Sequence, residues 1–206
     1  MKRDLGPKDL IFPAPVLIVG TYGQDGTPNA MNVAWGGICS SVPPAVAISI
    51  RETRRTFANI QAKGAFTVAI ATEELMVQAD YVGLVSGSKG NKLEKAGLRT
   101  VKSEHVDAPV LQDFPVTLEC RVMSVTRIGQ HMHIVGEIVN VLAEESVLNE
   151  KGQVDAALLK AIAYDPAGNQ YLAASQPVGK AFSAGIPLTK CPTPPGAPSF
   201  APGDGR

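Results

Sequence analysis

The densest group of residues able to do chemistry is IRETRRTFANI, residues 50 to 60, where Arg51, Arg54 and Arg55 stand beside Thr53 and Thr56. Guanidinium forks and hydroxyl donors match the oxygens of a phosphate, and the free N–H groups of a helix start add the positive end of a helix dipole. The pattern changes here from a strand to Phe57, Ile60 and Gln61 at helical spacing, with Thr53 as the predicted N-cap and Gly64 as the terminator. Taken by residue type alone, solvated arginines around an ordinary cap account for the cluster equally well. A second basic stretch, SGSKGNK at 86 to 92, can bring Lys89 or Lys92 and exposed backbone amides to the same anion, or be a flexible turn.

Other candidates are more dispersed. His131 and His133 are two apart on a predicted strand and so share a face, the spacing of a metal pair, but no third ligand stands near them. A hydrogen bond to a ligand or a place in a subunit contact suits them better. PNAMNVAWGG, residues 28 to 37, places Asn29, Asn32 and the only tryptophan, Trp35, in one extended segment. Tyr164 and Tyr171 read as packing aromatics unless their segment folds over a pocket. No Ser-His-Asp order, paired catalytic carboxylates or nucleophile elbow can be assigned. A cofactor carrying its own chemistry would need only binding, orientation and electrostatic tuning from such a chain. Cys39, Cys120 and Cys191 form no CxxC pair and imply a reducing compartment; Cys39 and Cys120, among apolar neighbours, read as buried small hydrophobes.

These residues need elements to hold them. PVLIVGTY at 15 to 22, the Asp-Gly turn at 25 to 26 and the asparagine-bearing stretch form a predicted hairpin. AVAISIR at 45 to 51 and FTVAIA at 66 to 71 read as buried strands, and 73 to 83 as a helix. The loop at 86 to 98 leads into a short helix. From Phe114 the alternation puts Val116, Leu118, Cys120 and Val122 on one face and Thr117, Glu119 and Arg121 on the other. A long partner strand starts at His131. Strands, a helical insertion, then two long strands favour a mainly β fold, a closed or partly closed Greek-key-like antiparallel barrel with α-helical insertions. Neither GxGxxG nor GxxxxGK[ST] can be fitted.

Basic and acidic residues balance at 19 each, which leaves no chain-wide field for nucleic acid or an anionic membrane. No apolar run long enough to span a bilayer appears, and the expectation is a soluble cytoplasmic protein. One domain is expected over 1 to 188, followed by a disordered Pro/Gly-rich tail at 189 to 206.

The order PVLIVGTYGQDGTPNAMNVAWGGICSSVPPAVAISIRETRRTFANI, GAFTVAIA, GNKLEKAGL and QPVGKAFSAG resembles the flavoredoxin branch of the flavin reductase-like family, over about residues 10 to 185. The resemblance implies an FMN-binding split barrel and a homodimer with one FMN per subunit. It places Asn29, Asn32, Val33, Ala34 and Trp35 along the isoalloxazine ring. It places Ser49, Arg51, Thr56 and Lys92 at the phosphate, and His131 and Tyr164 near the flavin. Asparagine amides can supply donors to the ring's pyrimidine edge, which would stabilise the anionic reduced flavin. The expected activity is electron transfer through non-covalent FMN as a carrier with a redox protein partner. The alternatives are an NAD(P)H-dependent flavin reductase and, behind it, a non-redox module for another phosphorylated ligand.

Overall fold

A computed structural model describes residues 1–87 and 90–189. The readings made for Lys89, Cys191 and nearly all of the tail lie outside these residues; Thr189 ends a short helix. The chain divides into two compact units, Met1–Gln176 and Pro177–Arg206.

A short apolar, β-branched run followed by an Asp-Gly turn gives the predicted hairpin, with β1 (Ala14–Pro15) leading into β2 (Leu17–Tyr22), which pairs with β3 (Pro28–Val33). Gly26 turns the chain between them with a φ of 78°, a conformation that favours glycine. β4 (Gly36–Ser41) and β5 (Pro44–Arg51) form the next hairpin. Then follow α1 (Arg55–Lys63), β6 (Ala65–Ile70), α2 (Met76–Leu84) and α3 (Lys92–Lys95). A two-stranded ribbon, β7 (Thr100–Lys102) with β8 (Pro109–Leu111), precedes the long hairpin of β9 (Val116–Ile128) and β10 (His131–Ala143). A 3₁₀ turn at Glu145–Val147 and α4 (Ala156–Leu159) lead to β11 (Ile162–Asp165) and β12 (Gln170–Ala173), which form a small sheet with β1. The second unit contains α5 (Ile186–Thr189).

The main sheet runs β3-β2-β6-β9-β10-β5-β4, antiparallel throughout. Its two outer strands, β3 and β4, are consecutive in the chain and joined by Ala34 and Trp35. The sheet curls until β3 approaches β5, and the Ser49 N–H donates to the Trp35 carbonyl at 2.8 Å, which extends the β4–β5 ladder to the seam. This is the expected barrel with helical insertions, incompletely closed where β3 meets β4 and β5.

Val19, Ile48, Phe66 and Ile134 pack inside with Phe57 and Ile60 of α1; α2 and α3 cover the outer side of β2 and β3 through Ala79, Val82 and Leu93. Gly136 sits at a β-bulge in β10, where a Cβ would lie 2.5 Å from Phe66 Cζ. The ring needs that space.

Four local features were not legible in the sequence. Arg54, not Thr53, is the N-cap of α1, and it is extended (φ −78°, ψ 136°) with no side-chain cap bond. Gln61 is exposed, while Thr56 and Asn59 are buried with Phe57 and Ile60. Asn59 donates to Thr21 Oγ1 at 3.0 Å, so the helix packs polar groups as well as apolar ones against the sheet. Cys39 is exposed on the outer strand β4. Thr117 and Glu119, set by alternation on the face opposite Val116 and Cys120, are buried as well, so β9 is covered on both faces here; Glu119 accepts from Asn140 at 2.6 Å, and β8 packs against this part of the sheet.

Candidate functional site

The seam carries a trough of adjoining recesses along β3. Its narrow end, about 80 Å³, is lined by Asn29, Arg54, Arg55, Thr56, Gly87 and Lys92. The first turn of α1 points its uncapped N–H groups here, because Arg54 brings no side-chain acceptor to them. Lys92 is buried, donating to the Val82 and Val85 carbonyls at 2.8 and 2.9 Å, and so it satisfies the end of α2. Burial, and then the charges of Arg54 and Arg55, lower its pKa to about 8. Arg55 donates to the Gly87 carbonyl at 2.7 Å, and Asp25, 4.0 Å from it, is its recorded acidic partner. The end is therefore strongly electropositive.

Met31 and Arg54 are shared with a wider recess of about 330 Å³. Its walls include Asn32, Val33, Ala34, Trp35, Ser49, Arg51, His131 and Tyr164, brought together from four separate stretches of chain. The curl of the sheet does this, since His131 lies opposite Arg51 and His133 opposite Ser49 across the β10–β5 ladder. Trp35 meets His131 edge to face with centroids 4.7 Å apart, and Ser49 Oγ lies 3.0 Å from His133 Nδ1. Val33 belongs mainly to the barrel core. A third recess, about 250 Å³, is bounded by Asn32, Asp80, Gly83, Tyr164, Asn169 and Tyr171. Trp35 and Tyr164 also back onto an apolar recess of about 480 Å³ beside Leu10, Ile11 and Pro13.

Every residue that the resemblance assigned to the flavin lines this trough, but in two groups. Asn29, Thr56 and Lys92 lie at the cationic end; Ser49 and Arg51, grouped with the phosphate element by resemblance, lie on the wider recess. The asparagines also differ from expectation. Being three apart on a strand they face opposite sides, and both amide nitrogens are engaged inside the protein. Asn29 Nδ2 donates to Thr56 Oγ1 at 3.1 Å, and its buried Oδ1 has no partner among the described residues. Asn32 Nδ2 donates to the Ala79 carbonyl at 3.1 Å and to Tyr171 Oη at 3.4 Å. Asn32, with both amide hydrogens engaged, has only its oxygen left to offer, whereas Asn29 keeps one N–H beside its oxygen.

Among the described residues no group of three or more His, Cys, Asp or Glu side chains is placed to hold a metal. Sequence reading undervalued Tyr171 and omitted Asp80. Tyr171 Oη donates to Asp80 Oδ1 at 2.8 Å, and burial, followed by that bond, pushes its pKa up to about 12. The available signal was the turn PAGN, which pairs Tyr164 with Tyr171. Asp80 left none, because helix α2 alone does not say what packs on it.

Residues 10–165 match the flavin reductase like domain. The structure is similar to the flavoredoxin of Desulfovibrio vulgaris (Miyazaki F), at 38% identity and TM-score 0.85, over 90% of this chain and 100% of that one. It is also similar to a flavoredoxin from Methanosarcina acetivorans, at 26% identity and TM-score 0.84, over 91% and 99%. A protein of Archaeoglobus fulgidus is 34% identical over 128 residues, 62% of this chain and 72% of the relative. The residues matched span the barrel, the trough and the β11 strand that carries Tyr164, and on that extent the chain belongs to the flavin reductase like domain family.

Proposed function

We propose that this protein binds FMN non-covalently in the seam trough and passes electrons through it, in the manner of a flavoredoxin. The observation that carries the reading is a pair of adjoining recesses sharing Met31 and Arg54, one cationic and one wider and aromatic-walled, matching a phosphate joined to a flat heteroaromatic ring. The residues fit such a group. Arg54, Arg55 and Lys92 with the α1 N-terminus suit a phosphate dianion, and the orphaned Asn29 oxygen suits a hydroxyl donor of the connecting chain. Trp35, Tyr164 and His131 wall the ring's place and limit water. Bound FMN would supply reversible two-electron and one-electron chemistry; the protein's share is to hold it, orient it and set its electrostatics.

The carrier reading includes a redox protein partner, a homodimer and a cytoplasmic location. Ile38 and Val42, exposed at the outer β4 edge beside Trp35, support self-association. No helix among the described residues is long and apolar enough to cross a membrane. The alternative, an NAD(P)H-dependent reductase, is favoured by one feature, the apolar recess behind Trp35 and Tyr164, which has room for a second planar molecule.

Purified protein should be yellow, or become so with added FMN; a colourless protein that takes up none would end this reading. Anaerobic mixing then separates the two activities. Rapid bleaching by NADH or NADPH indicates a reductase, and bleaching only by a low-potential protein donor indicates a carrier.

A further inference from the structure

Asp80, Tyr171 and Asn32 form a chain of hydrogen bonds whose direction is determined at both ends. A backbone carbonyl can only accept, so the Asn32 atom 3.1 Å from Ala79 O is the amide nitrogen. The Tyr171 hydrogen goes to the Asp80 carboxylate at 2.8 Å, which leaves the tyrosine oxygen as an acceptor for the same nitrogen. Two independent partners thus hold the amide one way round. Gly83 permits the fit, since a Cβ there would lie 3.0 Å from Asn32 Cβ. Asn32 lines both recesses beside the ring's proposed place, and the hydrogen bonds that hold its side chain are both made by the nitrogen, which leaves Oδ1 as the atom able to meet a ligand.

We propose that Asp80 and Tyr171 are positioning residues that keep Asn32 acceptor-only toward the trough, and so disfavour the reduced form of a bound flavin. At the pyrimidine side of the ring, where the negative charge gained on reduction gathers, an amide oxygen opposes that charge, whereas an amide N–H would stabilise it. The pair therefore keeps the potential low, as a donor of electrons to other proteins requires. This rests on the FMN reading above.

The test uses the FMN-loaded full chain. Tyr171→Phe and Asp80→Ala free one side of the amide and should raise the ratio of affinities for reduced over oxidised FMN by three- to tenfold. A tenfold change reads as a rise of about 30 mV for a two-electron couple. Asp80→Asn keeps an acceptor for the tyrosine hydroxyl and should stay at the wild-type potential. If the Asp80 charge acts directly instead, Asp80→Asn and Asp80→Ala shift together while Tyr171→Phe does not, and the proposal is overturned. It is equally overturned if wild type binds FMN and none of the three variants moves the potential. Should Tyr171→Phe fail to fold, the contrast between Asp80→Ala and Asp80→Asn decides. A wild type that binds no FMN removes the functional reading, and this inference with it.

Discussion

Lys92 is the residue whose chemistry is most altered by the fold. Its buried ammonium loses its proton near pH 8, against an ordinary value of 10.5. Phosphate is fully ionised well below that, with a second pKa of about 6, so its charge is constant there. FMN affinity measured by fluorescence titration should therefore fall as pH rises through about 8, while riboflavin affinity stays level; parallel curves for the two would remove Lys92 from the phosphate site. The same lowered pKa gives the opposite sign for folding. The unfolded chain holds that proton longer, so cofactor-free protein should gain stability from pH 8 toward 10.5. Thr56→Ala removes the acceptor of a buried amide and should weaken FMN and the fold by about 1–3 kcal/mol. Of the cysteines, Cys120 is fully buried with its thiol pushed up to about 12, first by burial and then by Glu119, whereas Cys39 is exposed. Iodoacetamide followed by peptide mass spectrometry should label Cys39 in native protein and Cys120 only after denaturation. Residue type could not separate the two, since both sit among apolar neighbours in sequence.

Strands were more legible than helices because their signals, the unbroken apolar β-branched run of β2 and the alternation along β9, are written directly into short stretches of residues. The start of α1 was less so. Thr53 is a good cap by type, but the turn that precedes the helix, with Arg54 N–H donating to the Arg51 carbonyl, moves the start on and leaves the first turn open to a ligand. Thr117 and Glu119 alternate as a solvent face would, yet β8, a separate ribbon, packs there. Alternation reports which residues share a face, not what covers it. Gly136 makes a test at this scale. Gly136→Ala would press a methyl into Phe66 at the bulge and should cost about 1–3 kcal/mol. Urea unfolding should show a lower midpoint with an unchanged m-value; an unchanged midpoint would mean the ring moves aside freely.

For the molecule as a whole, the decisive feature is that the first and last strands of the main sheet are neighbours in the chain. The barrel seam falls at Ala34 and Trp35, and the trough opens there. The exposed β4 edge bears on assembly: the FMN-loaded protein should sediment at twice the chain mass at micromolar concentration, and Ile38→Glu should shift it toward the monomer. Sedimentation of wild type at the chain mass would remove the dimer. The sequence by itself determined the strand set, the local basicity around Arg54 and Arg55, the lack of a catalytic triad and the family resemblance, because alternation, charge and motif order are local properties. Only the tertiary structure decided that Arg51 parts from Arg55, that Lys92 is buried on α2 carbonyls, and that Asn32 offers an oxygen rather than a donor. Hydrogen-bond direction depends on which partners the fold brings up to a side chain, and for Asn32 those partners lie 47 and 139 residues away.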